Sequence, residues 1–191
     1  MNHHYQDLIT IFNEQFAMSE NTRLLKGEHE PVYLPADNSA NYHRVIFAHG
    51  FYASAFHEIA HWCIAGKERR LLEDYGYWYA PDGRNEQQQN EFEKVEIKPQ
   101  AIEWAFCVAS AFKFNVSVDN LAIDVDRFAF QSQVYQQLLE YLEHGFPARA
   151  QQFIDALIAF YQPGLELSPE LFDFVHPLTG IKYSQPELVN L

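Results

Sequence analysis

The feature that most constrains this chain is the pattern H-E-x-x-H, which occurs as His57, Glu58 and His61 within the apolar stretch FHEIAHW. An α-helix advances about 100° per residue, so histidines four positions apart lie on one face, about 6 Å apart along the axis. This spacing allows both imidazoles to bind one divalent cation. The pattern predicts a helix that supplies half of a metal site, with Ser54 as its N-cap and Gly66 as the residue that ends it.

The composition indicates one ordered globular domain over residues 1–191. Aromatic residues make up 16% and apolar residues 48% of the chain, a content that disordered chains lack. The N-terminal sequence has no signal-peptide pattern, and no apolar run reaches the roughly 18 residues of a membrane span. We therefore expect a cytoplasmic protein that does not associate with membranes.

The charge balance and the cysteines exclude further classes. A formal net charge of -13 would repel phosphates, so we expect no direct binding of nucleic acid. An acidic surface favours a cationic ligand or a basic patch on a partner, although it also serves solubility, which we consider the first explanation. Cys63 and Cys107 lie in apolar helical segments, where reduced thiols are expected rather than a disulfide framework.

The hydrophobic periodicity indicates an α+β fold that is predominantly helical and contains a small sheet. Short strands are expected at 32–34 and 44–47, and helices around Leu8 to Phe16, over the H-E-x-x-H segment, from Pro99 onward, and at 127–143 and 147–161. Pro99 suits the first turn of its helix. The polar run from Pro81 to Lys98 is predicted to be a mobile loop that could close over a substrate.

A metal ion bound by two histidines needs a further protein ligand. A third histidine at the extended spacing H-E-x-x-H-x-x-G-x-x-H is excluded, because Ile64 and Lys67 occupy the required positions. Glu103 is the favoured candidate, since an ionised acid in an apolar helix is costly unless a cation or hydrogen bonds compensate. Competing acids remain at Glu68, Glu73, Asp74, Glu91, Glu93 and Glu96.

Glu58 is the predicted catalytic residue. In a zinc hydrolase the glutamate of this pattern accepts a proton from metal-bound water, whereas an oxygenase has no fixed need for such a base. Considered alone, Glu58 therefore favours hydrolysis.

The longer stretch HGFYASAFHEIAHWCIAGKERRLLEDYGYWYAPDGR, residues 49–84, resembles the elongation factor P hydroxylase family, and the resemblance extends over essentially the whole chain. It implies an oxygen-dependent hydroxylase that acts on the lysyl-modified lysine of elongation factor P, a translation factor that helps ribosomes through proline-rich stretches. The family's metal-binding core is similar to that of metalloproteases. The resemblance thus implies a zincin-like helix in which His57 and His61 bind the metal, with Glu103 as our own prediction for the third ligand.

The sequence and the resemblance lead to one preferred prediction and two alternatives. We expect a single-domain, metal-dependent protein-lysine hydroxylase, a monooxygenase with iron(II) as the expected ion and with elongation factor P and molecular oxygen as its partners. A zinc-dependent hydrolase or peptidase of the H-E-x-x-H type is the nearest alternative, in which Glu58 activates water. A metal-stabilised binding protein without catalysis is the third.

Overall fold

The computed structural model describes residues 2–74, 85–118 and 127–172, together with two short strands at 174–175 and 182–183. The elements in chain order are α1 (Tyr5–Phe16), β1 (Thr22–Lys26), β2 (Val32–Leu34), β3 (His43–Phe47), α2 (Tyr52–Ile64), α3 (Glu86–Ala109), α4 (Arg127–His144), α5 (Ala148–Tyr161), β4 (Phe174–Val175) and β5 (Lys182–Tyr183). Single 3₁₀ turns occur at Arg69–Leu71 and Pro169–Leu171. The predicted class, mainly helical α+β with a small sheet, is confirmed.

The three-stranded sheet leads the chain into the helix that carries the H-E-x-x-H pattern. Its strand order is β1-β3-β2, with β3 parallel to β1 and antiparallel to β2. The turn after β3 places His49 and Gly50 at positive φ, 52° and 80°. A Cβ atom on Gly50 would lie 3.0 Å from the Tyr5 ring, so a residue without a side chain fits this turn best.

Aromatic side chains join the helices into one core. Phe12 and Phe16 of α1 lie 5.1 and 4.8 Å from Trp62 of α2, measured between ring centroids. Phe56 of α2 lies 5.6 Å from Phe106 of α3, and both rings are fully buried. Packing of this kind fixes the distance between α2 and α3. In the described part of the chain, no helix combines the length and apolar character that a membrane crossing requires.

The helix α3 is longer than the sequence predicted. The polar run expected to be a loop is helical from residue 86 onward, and Pro99 lies inside the helix instead of at its start. Asn85 begins this helix with a capping box, because its side chain accepts from the Gln88 N–H and the Gln88 side chain accepts from the Asn85 N–H. The loop prediction was wrong for residues 86–98, and residues 81–84 lie outside the described ones.

Both predicted ends of α2 were also wrong. The helix starts at Tyr52, two residues before Ser54, whose hydroxyl instead accepts from the Ala48 N–H at 3.0 Å. It ends at Ile64, and the extended conformation of Ala65 ends it before Gly66. Arg149 of α5 donates from Nη2 to the carbonyl oxygens of Trp62, Cys63 and Ala65 at 3.0, 3.1 and 2.6 Å. A distant arginine therefore satisfies carbonyl groups that the helix end leaves without intrahelical donors.

Candidate metal centre

The two histidines of α2 face each other across one helical turn. Their ring centroids are 4.6 Å apart, and the Nε2 atoms of His57 and His61 lie 3.1 Å from each other. Both Nε2 atoms point toward α3, with about a quarter of each side chain exposed. Two nitrogen donors thus converge on a partly buried point between α2 and α3.

Glu96 of α3 completes this group. Its Oε1 lies 3.1 Å from His61 Nε2, and its Oε2 lies 3.6 Å from His57 Nε2. One donor atom from each of these three residues lies within 4.8 Å of the others, and a search of the described residues for groups of three or more potential ligands returns this group. Two imidazoles and one carboxylate form a donor set that suits catalytic zinc and non-haem iron alike.

Glu103 contacts the opposite nitrogen of His57. Its Oε2 lies 3.0 Å from His57 Nδ1, and it is not part of the three-residue group. Because a carboxylate can only accept, Nδ1 carries the proton of this hydrogen bond, which leaves Nε2 of a neutral His57 ring free to bind a cation. A carboxylate that orients a ligating histidine in this way is a common feature of metal sites.

The spacing between Glu96 and Glu103 could have identified Glu96 from the sequence, but the prediction of a loop before Pro99 prevented this. Glu96 and Glu103 are seven residues apart, so they lie two turns apart on one face of α3. Placing the helix start at Pro99 removed Glu96 from that face. Had α3 been extended through Pro99 on the strength of the Asn85 capping box, both acids would have pointed to α2.

The histidines and the carboxylates of this group shift one another's pKa values. Burial alone would lower the pKa of His57, but the Glu96 and Glu103 carboxylates raise it well above its ordinary value. Burial alone would raise the pKa of Glu96, but His61 and His57 lower it to about 2. A proton on His57 thus helps to balance the buried carboxylate, and a divalent cation would take over that role by displacing it.

Gln100 holds Glu96 in place from one turn further along α3. Its Oε1 accepts from the Ser117 backbone N–H at 3.0 Å, and its Nε2 donates to the Ser117 carbonyl oxygen at 2.7 Å. These two bonds fix the orientation of the amide, so that Nε2 also donates to Glu96 Oε2 at 3.3 Å. The extended segment at Ser117 therefore positions the carboxylate that faces the histidines.

Glu58 faces a pocket that opens beside His61. The pocket has a volume of about 330 Å³, and Glu58, His61, Trp62, Tyr33 and Val95 are among the residues that line it. Burial raises the pKa of Glu58 above its ordinary value, although the neighbouring histidines lower it. A small molecule or a flexible side chain in this pocket would contact both the candidate metal centre and the Glu58 carboxylate.

The two cysteines do not join this group. Cys63 and Cys107 are buried and free, and burial raises the pKa of both thiols. Cys107 follows Glu103 by one turn, and the charge of Glu103 raises its pKa further. Neither thiol belongs to the three-residue group of potential ligands.

The fold and the site define a class: a mainly helical protein in which an H-E-x-x-H helix and an acid-bearing second helix form a candidate two-histidine, one-carboxylate centre beside a pocket. A family model described as elongation factor P hydroxylase matches residues 11–172. The chain is also 51% identical over 174 residues to an elongation factor P lysine hydroxylase of Haemophilus influenzae, a match that spans 91% of this chain and 98% of that relative. The chain belongs to the elongation factor P hydroxylase family, as its sequence resemblance indicated.

Proposed function

We propose that this protein hydroxylates the lysyl-modified lysine of elongation factor P in a metal-dependent reaction with molecular oxygen. One oxygen atom enters a C–H bond of the substrate, and the other leaves as water after an external reductant supplies two electrons. The observation that carries the proposal is the convergence of His57, His61 and Glu96 beside a pocket in a chain of this family. An enzyme for a translation factor would act in the cytoplasm.

The residues suit a divalent metal ion in three respects. Both Nε2 atoms and a Glu96 oxygen converge within 4.8 Å. The Glu103 contact to His57 Nδ1 keeps the ring in the tautomer that a metal ligand needs. The buried Glu96 carboxylate also needs a compensating positive charge. When bound, iron(II) would supply the electron transfer that activation of molecular oxygen requires.

The other side chains hold the ligands and move protons. Glu96 replaces Glu103 as our proposal for the third ligand, and Glu103 becomes the group that orients His57. Glu58 remains the proposed catalytic residue, because it lines the pocket next to His61, where it can give or take a proton at the substrate. Tyr33, Trp62 and Val95 add apolar surface to the lining of this pocket.

The same donor set would also support a zinc-dependent hydrolase, in which Glu58 would accept a proton from the attacking water. The position of Glu58 in the pocket is the observation that favours this second function. The family of the chain favours hydroxylation.

The test uses purified protein loaded separately with iron(II) and with zinc, and incubated with lysyl-modified elongation factor P in air and under nitrogen. Hydroxylation predicts a mass gain of one oxygen atom only with iron and air, and the added atom should carry the label when ¹⁸O₂ is used. Cleavage of a peptide bond with zinc would establish the hydrolase instead. The Glu58→Gln variant should keep its metal and lose turnover, because Glu58 is not among the proposed ligands.

A further inference from the structure

The lining of the pocket beside His61 is basic, although the whole chain carries a formal net charge of -13. The charged lining residues, apart from His61, are the cations Arg69, Arg70, Lys94 and Lys98 and the acids Glu58 and Asp74. This excess of positive charge is opposite in sign to the protein as a whole.

The two arginines and the two lysines of this lining differ in their partners. Arg70 Nη1 contacts Glu20 Oε2 at 2.7 Å, and Arg69 forms an ion pair with Asp74. Lys94 and Lys98 are exposed, and neither has an ion-pair partner among the described residues. They lie one turn apart on α3, a spacing at which like charges repel and destabilise a helix. We call Lys94 and Lys98 the lysine rim.

Two exposed apolar side chains follow Arg70 of the pocket lining in the chain. Leu71 and Leu72 are each 64% exposed, and they lie in the chain between Arg70 and Asp74, which both line the pocket. Two adjacent exposed leucines, next in the chain to residues that line the pocket, add apolar surface that a segment of another protein could cover.

We propose that the lysine rim, with Leu71 and Leu72, docks an acidic segment of the protein substrate that flanks the modified lysine. The proposal rests on the proposed function, since it concerns the same pocket. The exposure of both lysines and the neighbouring leucines favour a protein segment over a small anion held inside the pocket. The net charge of -13 disfavours a nucleic acid, whose phosphates extend beyond a two-residue patch.

The experiment compares two substrates, intact lysyl-modified elongation factor P and a short lysyl-modified peptide without acidic residues. For the variant Lys94→Glu/Lys98→Glu, kcat/KM for the protein should fall about tenfold relative to kcat/KM for the peptide, because rim charges act mainly on the encounter of two proteins. The wild-type preference for the protein should weaken between about 50 and about 300 mM salt, and that of the variant should not. Lys67→Glu/Lys113→Glu is the matched control, because both lysines are exposed and lie outside the pocket lining and the charge change is the same.

An equal loss on both substrates would overturn the docking proposal and assign the lysine rim to a small anionic co-reactant. An unchanged ratio of the two kcat/KM values would overturn it as well. Failure of the proposed function is distinguishable, because the wild-type protein would then hydroxylate neither substrate. The melting temperatures of both double variants report whether either charge reversal disturbs folding.

Discussion

The two helices that form the candidate metal centre differ in how the fold holds them. The helix α2 is short, and its histidines lie among side chains buried in the core. The helix α3 has two unlike halves: several residues before Pro99 are exposed, whereas nearly all residues from Pro99 to Ala109 are buried. Glu103 lies in the buried half, and Glu96 lies in the other half, one turn before Gln100.

The fold therefore holds the nitrogen donors and the proposed oxygen donor of the site in different ways. The nitrogen donors lie on α2, and the carbonyl groups at the end of this helix accept hydrogen bonds from Arg149. The proposed oxygen donor depends on side-chain contacts, because Gln100 and Ser117 hold Glu96 from its own side of the pocket. Substitutions in α2 should therefore affect metal binding and folding together, and substitutions around Glu96 should affect metal binding first.

The largest effect is expected from removal of a nitrogen donor. His57→Ala and His61→Ala should each abolish metal retention and hydroxylation, a greater loss than the roughly 10- to 100-fold that follows from changes in residues behind the ligands. Metal content per chain, measured by mass spectrometry of freshly purified protein, checks this. A full equivalent of metal in both variants would contradict the site on α2.

The next largest effect is expected from the same substitution, glutamate to glutamine, at each of the two acids of α3. Glu96→Gln should remove most of the metal affinity, whereas Glu103→Gln should weaken affinity by about 10- to 100-fold and leave a measurable site, because Glu103 contacts only the far nitrogen of His57. Competition with a chelator of known affinity gives both values. If Glu103→Gln were the more damaging change, Glu103 would be the ligand after all.

A smaller effect is expected at the end of α2. Arg149→Met keeps an unbranched side chain against the Trp62 ring, 4.8 Å from the guanidinium carbon, but removes three hydrogen bonds to carbonyl groups. We expect the free energy of unfolding to fall by about 2 kcal/mol, as for loss of charged donors that are partly solvated. Chemical denaturation measures this. Arg23→Met is the matched control, since Arg23 stacks on Tyr42 at the surface, and an equal loss there would remove the special role of Arg149.

The features that were predicted correctly from the sequence are those that depend on the spacing of residues close together in the chain. The interval between His57 and His61 is a property of one helix, so their convergence follows from helical geometry. The helices at 127–144 and 148–161 and the strands at 32–34 and 43–47 were predicted within about a residue, because Gly and Pro residues mark most of their ends in the sequence. The strand β1 was not predicted, since its pairing with β3 is a long-range contact.

The proposed third ligand, Glu96, could be predicted only in part, because its role depends on how two helices are packed. The spacing of seven residues from Glu103 indicates that the two acids share a face of α3. Glu96 nevertheless lies in a polar segment that has almost no apolar periodicity, and its contact with α2 is what brings it to the histidines. The burial of Glu103 was correctly inferred from its apolar surroundings. Glu103 contacts Nδ1 of His57 and not Nε2, the nitrogen that faces Glu96. Sequence patterns do not show which of the two ring nitrogens a carboxylate will contact.

The smallest effect is expected for a substitution of Pro99, the residue from which the start of α3 was wrongly predicted. A proline inside a helix costs about 3 kcal/mol relative to alanine, but replacing the buried Pro99 with alanine removes two methylene groups, worth about 1.6 kcal/mol at about 0.8 kcal/mol each. Pro99→Ala should therefore stabilise the protein by about 1 kcal/mol, measured by chemical denaturation. Its metal affinity should stay within about threefold of wild type, because α3 already continues through this position. A large loss of affinity would instead mean that Pro99 sets the angle at which the exposed half of α3 presents Glu96 to the histidines.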